Sequence, residues 1–211
     1  MARIQQLKFS VFNIAIVLHL TACGGYDAAD ESDLEPRPGE IVGVLVDERG
    51  KAHPDASIEL YAEDATEVLT VVEGMDSDGR FGVFPPDTGN YSIVGVIGDT
   101  QKVIVQGVAF TSGAGQNIGK IATTEVAVLS VQVTTPEEFS SEGVKFQVLG
   151  YSASGTTIQE GFGIIESGIP AGKYKLRFSK EGLSDLLIEN LELESGKITL
   201  LEDVEMSVAG S

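Results

Sequence analysis

The chain has 211 residues, 42% of them hydrophobic, and carries 14 Lys and Arg against 32 Asp and Glu, a formal net charge of −18. Nucleic-acid binding needs a basic footprint, so this charge excludes a nucleic-acid partner, and it also disfavours direct contact with an anionic membrane surface. The chain has one cysteine, two histidines and no tryptophan. We therefore expect no cofactor, no metal site and no catalytic residues.

Residues 1–22 form a predicted secretory leader. Arg3 and Lys8 give it a positive start, and an apolar run of about 12 residues follows at 9–20 and ends in small residues. The alternative is a membrane-spanning helix, which needs roughly 20 apolar residues. Asn13 and His19 interrupt the run, so the sequence favours a leader.

The leader ends at Leu20-Thr21-Ala22-Cys23-Gly24, which resembles the lipoprotein box of bacteria. The resemblance implies cleavage before Cys23 and acylation of that cysteine, palmitate included. The alternative, an ordinary leader followed by a chance cysteine, would leave an unpaired thiol in an oxidising compartment. Because one acyl chain alone binds a membrane only marginally, two or three chains would provide the contact with the membrane. The cell envelope is the expected location, and Gly24 favours the outer membrane, with the leaflet orientation open.

The mature chain is predicted to be all-β. Removing Arg3 and Lys8 with the leader leaves 14 − 2 = 12 basic against 32 acidic residues, a net charge of −20. Residues 23–39 are acidic and contain two prolines, so we predict a flexible tether. Two series of short apolar runs follow, separated by Gly, Pro and Asp turns, and they predict two small tandem sandwiches at 40–119 and 120–211. The predicted strands are 40–47, 57–62, 68–73, 80–84, 90–97, 101–109, 125–134, 144–150, 156–159, 162–165, 173–179, 185–193 and 197–206.

The predicted strand at 173–179 has one apolar and one basic face. Side chains alternate along a strand, so the strand at 173–179 should bury Tyr174, Leu176 and Phe178. The alternate set faces water and forms a basic row on an acidic protein, a possible contact for a carboxylate-rich partner. This row consists of Lys173, Lys175 and Arg177.

The two halves are predicted to be copies of one unit. Pro86-Asp87-Thr88-Gly89-Asn90-Tyr91 in the first half parallels Pro170-Ala171-Gly172-Lys173-Tyr174 in the second, with one extra residue before the glycine. The small, turn-rich segment 113–119 is the predicted seam between the halves.

The first half resembles the carboxypeptidase regulatory-like domains, which are transthyretin-like, Ig-like β-sandwiches. The resemblance lies in the Gly43 to Leu60 opening, the Asp76-Ser77-Asp78-Gly79-Arg80-Phe81 hairpin and the Pro86 to Ile93 strand. It extends less closely over 125–206, where the hairpin is reduced to Glu160-Gly161-Phe162. It implies a fold and an accessory, non-catalytic role.

Two isolated features suggest chemistry, and each has a structural alternative. Asp76 and Asp78 faintly match a calcium loop, but an EF-hand needs a glutamate at the twelfth position, which here is Asp87. A tight hairpin turn with Gly79 at positive φ is favoured. His53 is the single histidine beyond the leader and cannot form a zinc site alone, so a surface turn is favoured.

The sequence leaves three functions open. The first is a lipid-anchored, non-catalytic binding or structural module of the envelope, with an unidentified protein or glycan partner. The second is a glycan-binding surface lipoprotein for nutrient capture, in which Tyr61 and Tyr151 stack on sugars. The third is a hydrolase with an acidic pair. We favour the first, because the expected small sandwiches with short loops offer little room for a catalytic cleft.

Overall fold

The computed structural model describes residues 34–210, and the leader, Cys23 and most of the predicted tether lie outside this range. The described chain is all-β, as predicted, and its only helical turn is the short 3-10 turn at Gln159–Gly161. Within residues 34–210, no helix has the length and apolar character needed to cross a membrane.

The strands form two tandem β-sandwiches. The first contains β1 (Ile41–Val46), β2 (Ser57–Ala62), β3 (Val68–Glu73), β4 (Arg80–Val83), β5 (Gly89–Ile97), β6 (Gln101–Phe110) and β7 (Gln116–Ala122), and the two-residue β8 (Thr124–Glu125) pairs with β6. The second contains β9 (Ala127–Thr134), β10 (Lys145–Val148), β11 (Ser154–Thr156), β12 (Phe162–Ile169), β13 (Gly172–Ser179), β14 (Leu186–Leu193) and β15 (Ile198–Glu205).

The two sandwiches share one topology. The sheets of the first are β4-β1-β7 and β3-β2-β5-β6-β8, and those of the second are β12-β9-β15 and β11-β10-β13-β14. If the seven main strands of each are numbered in order, both sandwiches read 4-1-7 and 3-2-5-6. The first and last strands of each are also parallel neighbours. The predicted repeat of one unit is confirmed at this level.

The Pro-x-Gly-x-Tyr strands are built in the same way. The hydroxyl of Tyr91 donates to the backbone oxygen of Asp87 at 2.8 Å, and the hydroxyl of Tyr174 donates to that of Pro170 at 2.7 Å. In both cases the acceptor lies four residues before the tyrosine, so Asp87 is structurally equivalent to Pro170. The extra residue of the first half therefore lies before Asp87. Each buried phenol ring thus satisfies its polar atom locally, as buried tyrosines require.

The register of β13 agrees with the prediction. Tyr174 is 2% exposed and Leu176 and Phe178 are fully buried, whereas Lys173 and Arg177 on the alternate face are exposed. Phe178 stacks on Phe146 of β10 with ring centroids 6.0 Å apart. These side chains form the centre of the second core.

The predicted seam is a strand. Residues 116–122 form β7, which runs parallel to β1 as far as the pair Val46–Ala122. β7 therefore crosses the boundary predicted between residues 119 and 120. Gly119, at φ +77°, lies where the register of β7 shifts against β1. Because such a bulge interrupts the period-two alternation of side chains, the sequence pattern did not predict this strand.

Residues 34–39, predicted as the end of a flexible tether, lie on the first sandwich. Leu34 packs against Val44 and Val46 of β1, and its backbone oxygen accepts a hydrogen bond from the Asn117 side chain at 3.1 Å. The outer face of β1 is apolar and needs a cover, which explains why this segment is ordered against it.

Arg37 closes this segment. Its guanidinium binds both carboxylate oxygens of Glu40 at 2.9 and 2.7 Å, and its backbone N–H donates to the same carboxylate. The Arg37 guanidinium lowers the pKa of the Glu40 carboxyl. Arg37 also lies 5.0 Å from the centroid of the Phe84 ring.

Candidate functional site: the contact and cleft between the sandwiches

One sheet of the first sandwich is buried on both faces. On β2 and β5, Leu60 and Ile93 pack into the first core, whereas Tyr61 and Val94 belong to the hydrophobic cluster of the second core. Strands buried on both faces have continuous apolar runs. The stretch from Ile93 to Ile97 in β5 is such a run, so the two sandwiches form one packed body.

The second sandwich meets this sheet with one end. The contact comes from the β10–β11 loop, the end of β12 and the start of β13. The rings of Tyr61 and Tyr151 meet edge to face with centroids 5.8 Å apart. Gly172 approaches so closely that a Cβ there would lie 3.3 Å from Ile104 of β6.

This contact corrects the expectation that Tyr61 and Tyr151 offer a platform for sugars. Tyr61 is 0% and Tyr151 4% exposed, because each ring fills the junction between the two sandwiches. No ring face is left for a sugar to stack on, so the glycan-binding alternative loses the residues that motivated it.

Hydrogen bonds fix the rim of the contact. The Tyr61 hydroxyl donates to the Glu59 carboxylate at 2.6 Å and lies 2.9 Å from the Ser152 hydroxyl. The Lys102 ammonium donates to the Tyr151 hydroxyl at 2.7 Å and to the backbone oxygens of Ser167 and Gly168 at 3.1 Å each. Lys102 of β6 therefore reaches three acceptors on the other sandwich.

The ionisation of these groups follows from burial. Burial and the nearby Glu59 carboxylate raise the pKa of both the Tyr61 and the Tyr151 phenol. Burial lowers the pKa of Lys102, against the raising effect of Glu59 and Asp99. Both phenols are therefore neutral near pH 7, and each can donate its hydroxyl hydrogen within the contact.

A cleft of about 370 Å³ opens beside this contact. Its lining includes Glu63, Gln106, Lys173 and Glu189, and the bulge residues Gly107 and Asn190, at φ +67° and +59°, also line it. These bulges occur where β6 and β14 shift register against the Tyr91 and Tyr174 strands. The repeat thus places two equivalent bulges on opposite sides of one cleft.

Two of the three residues of the predicted basic row line this cleft. Lys173 and Lys175 line it, and the Lys175 ammonium pairs with Asp64 of the first sandwich at 2.7 Å. Arg177, further along β13, donates to the Gln147 side chain at 2.7 Å. Lys175 is therefore already engaged by a carboxylate of the same chain, and Lys173 and Arg177 are the exposed members of the row.

The two Asp-x-x-Gly segments have structural roles. The Asp76 carboxylate accepts hydrogen bonds from the backbone N–H of Asp78 at 3.0 Å and of Arg80 at 2.8 Å. Asp47 does the same for Arg49 and Lys51 and also contacts a His53 ring nitrogen at 3.0 Å. Gly50 and Gly79 end both turns at φ +77° and +78°, as in hairpin turns with a bulge.

Two features of the described residues bear on metal binding and on acid–base chemistry. Within 34–210 no group of three or more His, Cys, Asp or Glu side chains could hold a metal ion. In the same range Glu40 is the one buried carboxylate, and it is bound by Arg37.

Sequence reasoning missed the contact between the sandwiches, although the unbroken apolar run of β5 was a signal for it.

No protein-family model and no curated protein matches the chain. Among solved structures, the chain is similar to the minor pilin GBS52 of Streptococcus agalactiae, with 12% identity over 82% of this chain and 97% of the pilin and a TM-score of 0.37. It is similar to a streptococcal ancillary pilin, with 14% identity over 84% of this chain and 64% of that one and a TM-score of 0.37.

A third similarity is to a type II cohesin–X–dockerin complex of Acetivibrio cellulolyticus, with 18% identity over 38% of this chain and a TM-score of 0.34. The match spans 56% of that chain. The resemblance to carboxypeptidase regulatory-like domains stays a prediction.

Proposed function

We propose that this protein is a lipid-anchored, non-catalytic binding and spacing module of the bacterial cell envelope, anchored in the outer membrane. The observation that carries the proposal is the packed contact between the sandwiches, in which Tyr61, Tyr151 and Lys102 join two small domains into one body. Such a body holds its surfaces at a fixed distance and orientation. That property serves presentation or spacing and needs no reaction.

The Leu20 to Gly24 segment supports the anchor. In this proposal Cys23 carries the lipid, residues 24–33 link it to the sandwiches, and the docked residues 34–39 hold the end of the linker on β1. The chain's high negative charge keeps the sandwiches off anionic headgroups, so the lipid alone contacts the membrane.

Mass spectrometry of the N-terminal peptide extracted from membranes tests the anchor. An acylated Cys23 at the mature N-terminus is the expected result. An unmodified Cys23 or an intact leader would contradict it, and Cys23→Ser should release the protein from the membrane fraction.

Two further measurements test the non-catalytic role. A soluble form beginning at Leu34 should be inert towards glycoside, ester and peptide libraries, and hydrolysis abolished by changing one pair of carboxylates would overturn this part of the proposal. Alanine at both Lys173 and Arg177 should weaken crosslinking to envelope partners if the exposed part of the basic row binds a carboxylate-rich partner. The matched control is the double variant Arg49→Ala and Lys51→Ala, which removes two exposed cations from a turn of the first sandwich.

A further inference from the structure

The outer faces of the two three-stranded sheets differ, although their strand order is the same. In β4-β1-β7 the outward side chains Val42, Val44 and Val46 are all buried, and residues 34–39 lie over them. Within the described part of the chain, the corresponding face of β12-β9-β15 has no such cover, because the residues just before β9 form β7 and β8 of the first sandwich.

The uncovered face is apolar. Cross-strand pairing places Ile164, Ser130 and Leu200 in one row and Ile198 beside Val128 in the next. Ile198 is 73% exposed and Leu200 49%. We call this surface the open face, and the exposed large apolar residues on its strands are Phe162, Ile164, Ile198 and Leu200. Contiguous exposed apolar surface of this kind marks an interaction site.

Carboxylates surround the open face. Glu166 follows Ile164 on the same side of β12, Glu202 follows Leu200 on β15, and Glu160 precedes Phe162; all three are exposed. An apolar centre with an acidic rim favours a partner with the complementary arrangement, an aliphatic centre between basic residues.

The first sandwich shows the chemistry of such a cover. There Leu34 supplies the aliphatic contact with Val44 and Val46, and Arg37 supplies a cation that binds the Glu40 carboxylate. The cover is a short extended segment that crosses one face of the sheet.

We propose that the open face binds an extended segment of another protein in which aliphatic residues lie between lysines or arginines. The aliphatic residues would cover Ile164, Ile198 and Leu200, and the flanking cations would pair with Glu166 and Glu202. A second copy of this chain fits poorly, since its net charge is −18 and the residue after Leu34 in its own cover is Glu35. This inference rests on the proposed binding function but not on the lipid anchor.

Photo-crosslinking in intact cells tests the occupant. The full chain carries a photoreactive phenylalanine analogue at Ile198 or, as control, at Leu69 on β3 of the first sandwich, which is 46% exposed. The expected result is a crosslink from position 198 to a segment of another protein with Lys or Arg on both sides of aliphatic residues. Crosslinks to a second copy, to lipid, to a segment without flanking cations or equally from position 69 would overturn the proposal, as would none at all.

A synthetic peptide of the crosslinked segment then tests the surface in vitro. Leu200→Glu should weaken its binding to the purified protein by about tenfold or more, since a buried leucine side chain contributes more than a tenfold factor in affinity. Leu69→Glu should leave binding unchanged, and thermal unfolding should show that both variants remain folded.

Reversing the rim with Glu166→Lys and Glu202→Lys keeps the apolar centre and should also reduce binding. Unchanged binding in the rim variant would overturn the charge complementarity. If position 198 finds no partner while other surfaces still crosslink in the envelope, this inference fails and the proposed binding function stands.

Discussion

The two sandwiches of this protein share a strand order and differ in what covers them. In the first, the second sandwich packs on one sheet and Leu34 covers Val44 and Val46 of the other, although Leu69, Val71 and Phe84 stay exposed. In the second, the sheet β12-β9-β15 keeps Ile164, Ile198 and Leu200 in solvent. A duplicated fold therefore repeats its cores and turns, whereas its outer faces depend on the position of each copy in the chain.

The largest expected effect concerns what the copies share. Tyr174→Ala should lower the free energy of unfolding by about 3–5 kcal/mol, because it removes a buried aromatic side chain and leaves a cavity. Tyr91→Ala should have a similar effect in the first core. Chemical denaturation of the soluble form measures both. Lys173→Ala on the exposed face of the same strand should change stability by no more than about 0.5 kcal/mol, and equal effects of Tyr174→Ala and Lys173→Ala would contradict the register.

The second largest effect concerns Lys102 and the contact between the two sandwiches. Lys102→Met removes a cation that donates to Tyr151, Ser167 and Gly168, so it should cost about 1–3 kcal/mol, reduced by the partial exposure of the ammonium. The two sandwiches should also reorient more freely, which nuclear magnetic relaxation of the soluble form detects. Lys145→Met is the control. Unchanged stability and unchanged relaxation in Lys102→Met would mean that apolar packing alone holds the contact.

A smaller effect compares the covered and the open face. Leu34→Ala should lower the unfolding free energy by about 1 kcal/mol, because Leu34 is partly buried on Val44 and Val46. Leu200→Ala should change it by no more than about 0.5 kcal/mol, since its side chain is half in solvent and covers little. Differential scanning calorimetry of the two variants gives the comparison, and a larger loss for Leu200→Ala would reverse the distinction between the faces.

The smallest expected effect is a pH dependence of the cover. The pKa of Glu40 is lower in the folded protein, chiefly because of its hydrogen bond to Arg37, so its contribution is fully present above the unfolded pKa, about 4.3. The contribution is lost as the pH falls through the folded pKa. Glu40→Gln should therefore destabilise the protein at pH 7 and make little difference in strong acid. Denaturation series at both pH values measure this, and an equal loss at both would assign the effect to packing.

Much of the fold could be predicted from the sequence because it follows from local rules. Alternation set the faces of β13, the Asp-x-x-Gly segments set the turns after Asp47 and Asp76, and the spacing from Pro to Tyr marked the repeat. β7 was missed because the bulge at Gly119 interrupts its alternation. The docking of Leu34 was missed because a short acidic segment with two prolines has no periodic signal of its own.

The sequence by itself determined how side chains alternate between the faces of strands such as β13, where the chain turns and how the unit repeats, because side-chain alternation and turn geometry are properties of a few neighbouring residues. Only the tertiary structure decided what lies against each buried face. Tyr61 lies 90 positions before Tyr151 in the chain, and Lys102 lies 49 positions before it. The three residues meet because the end of one sandwich packs on the sheet of the other. Hydrophobic burial is non-directional, so an apolar side chain is stabilised by any apolar surface that covers it. The sequence therefore shows that a face is apolar, and the tertiary structure decides which residues cover it. The open face of the second sandwich is an example.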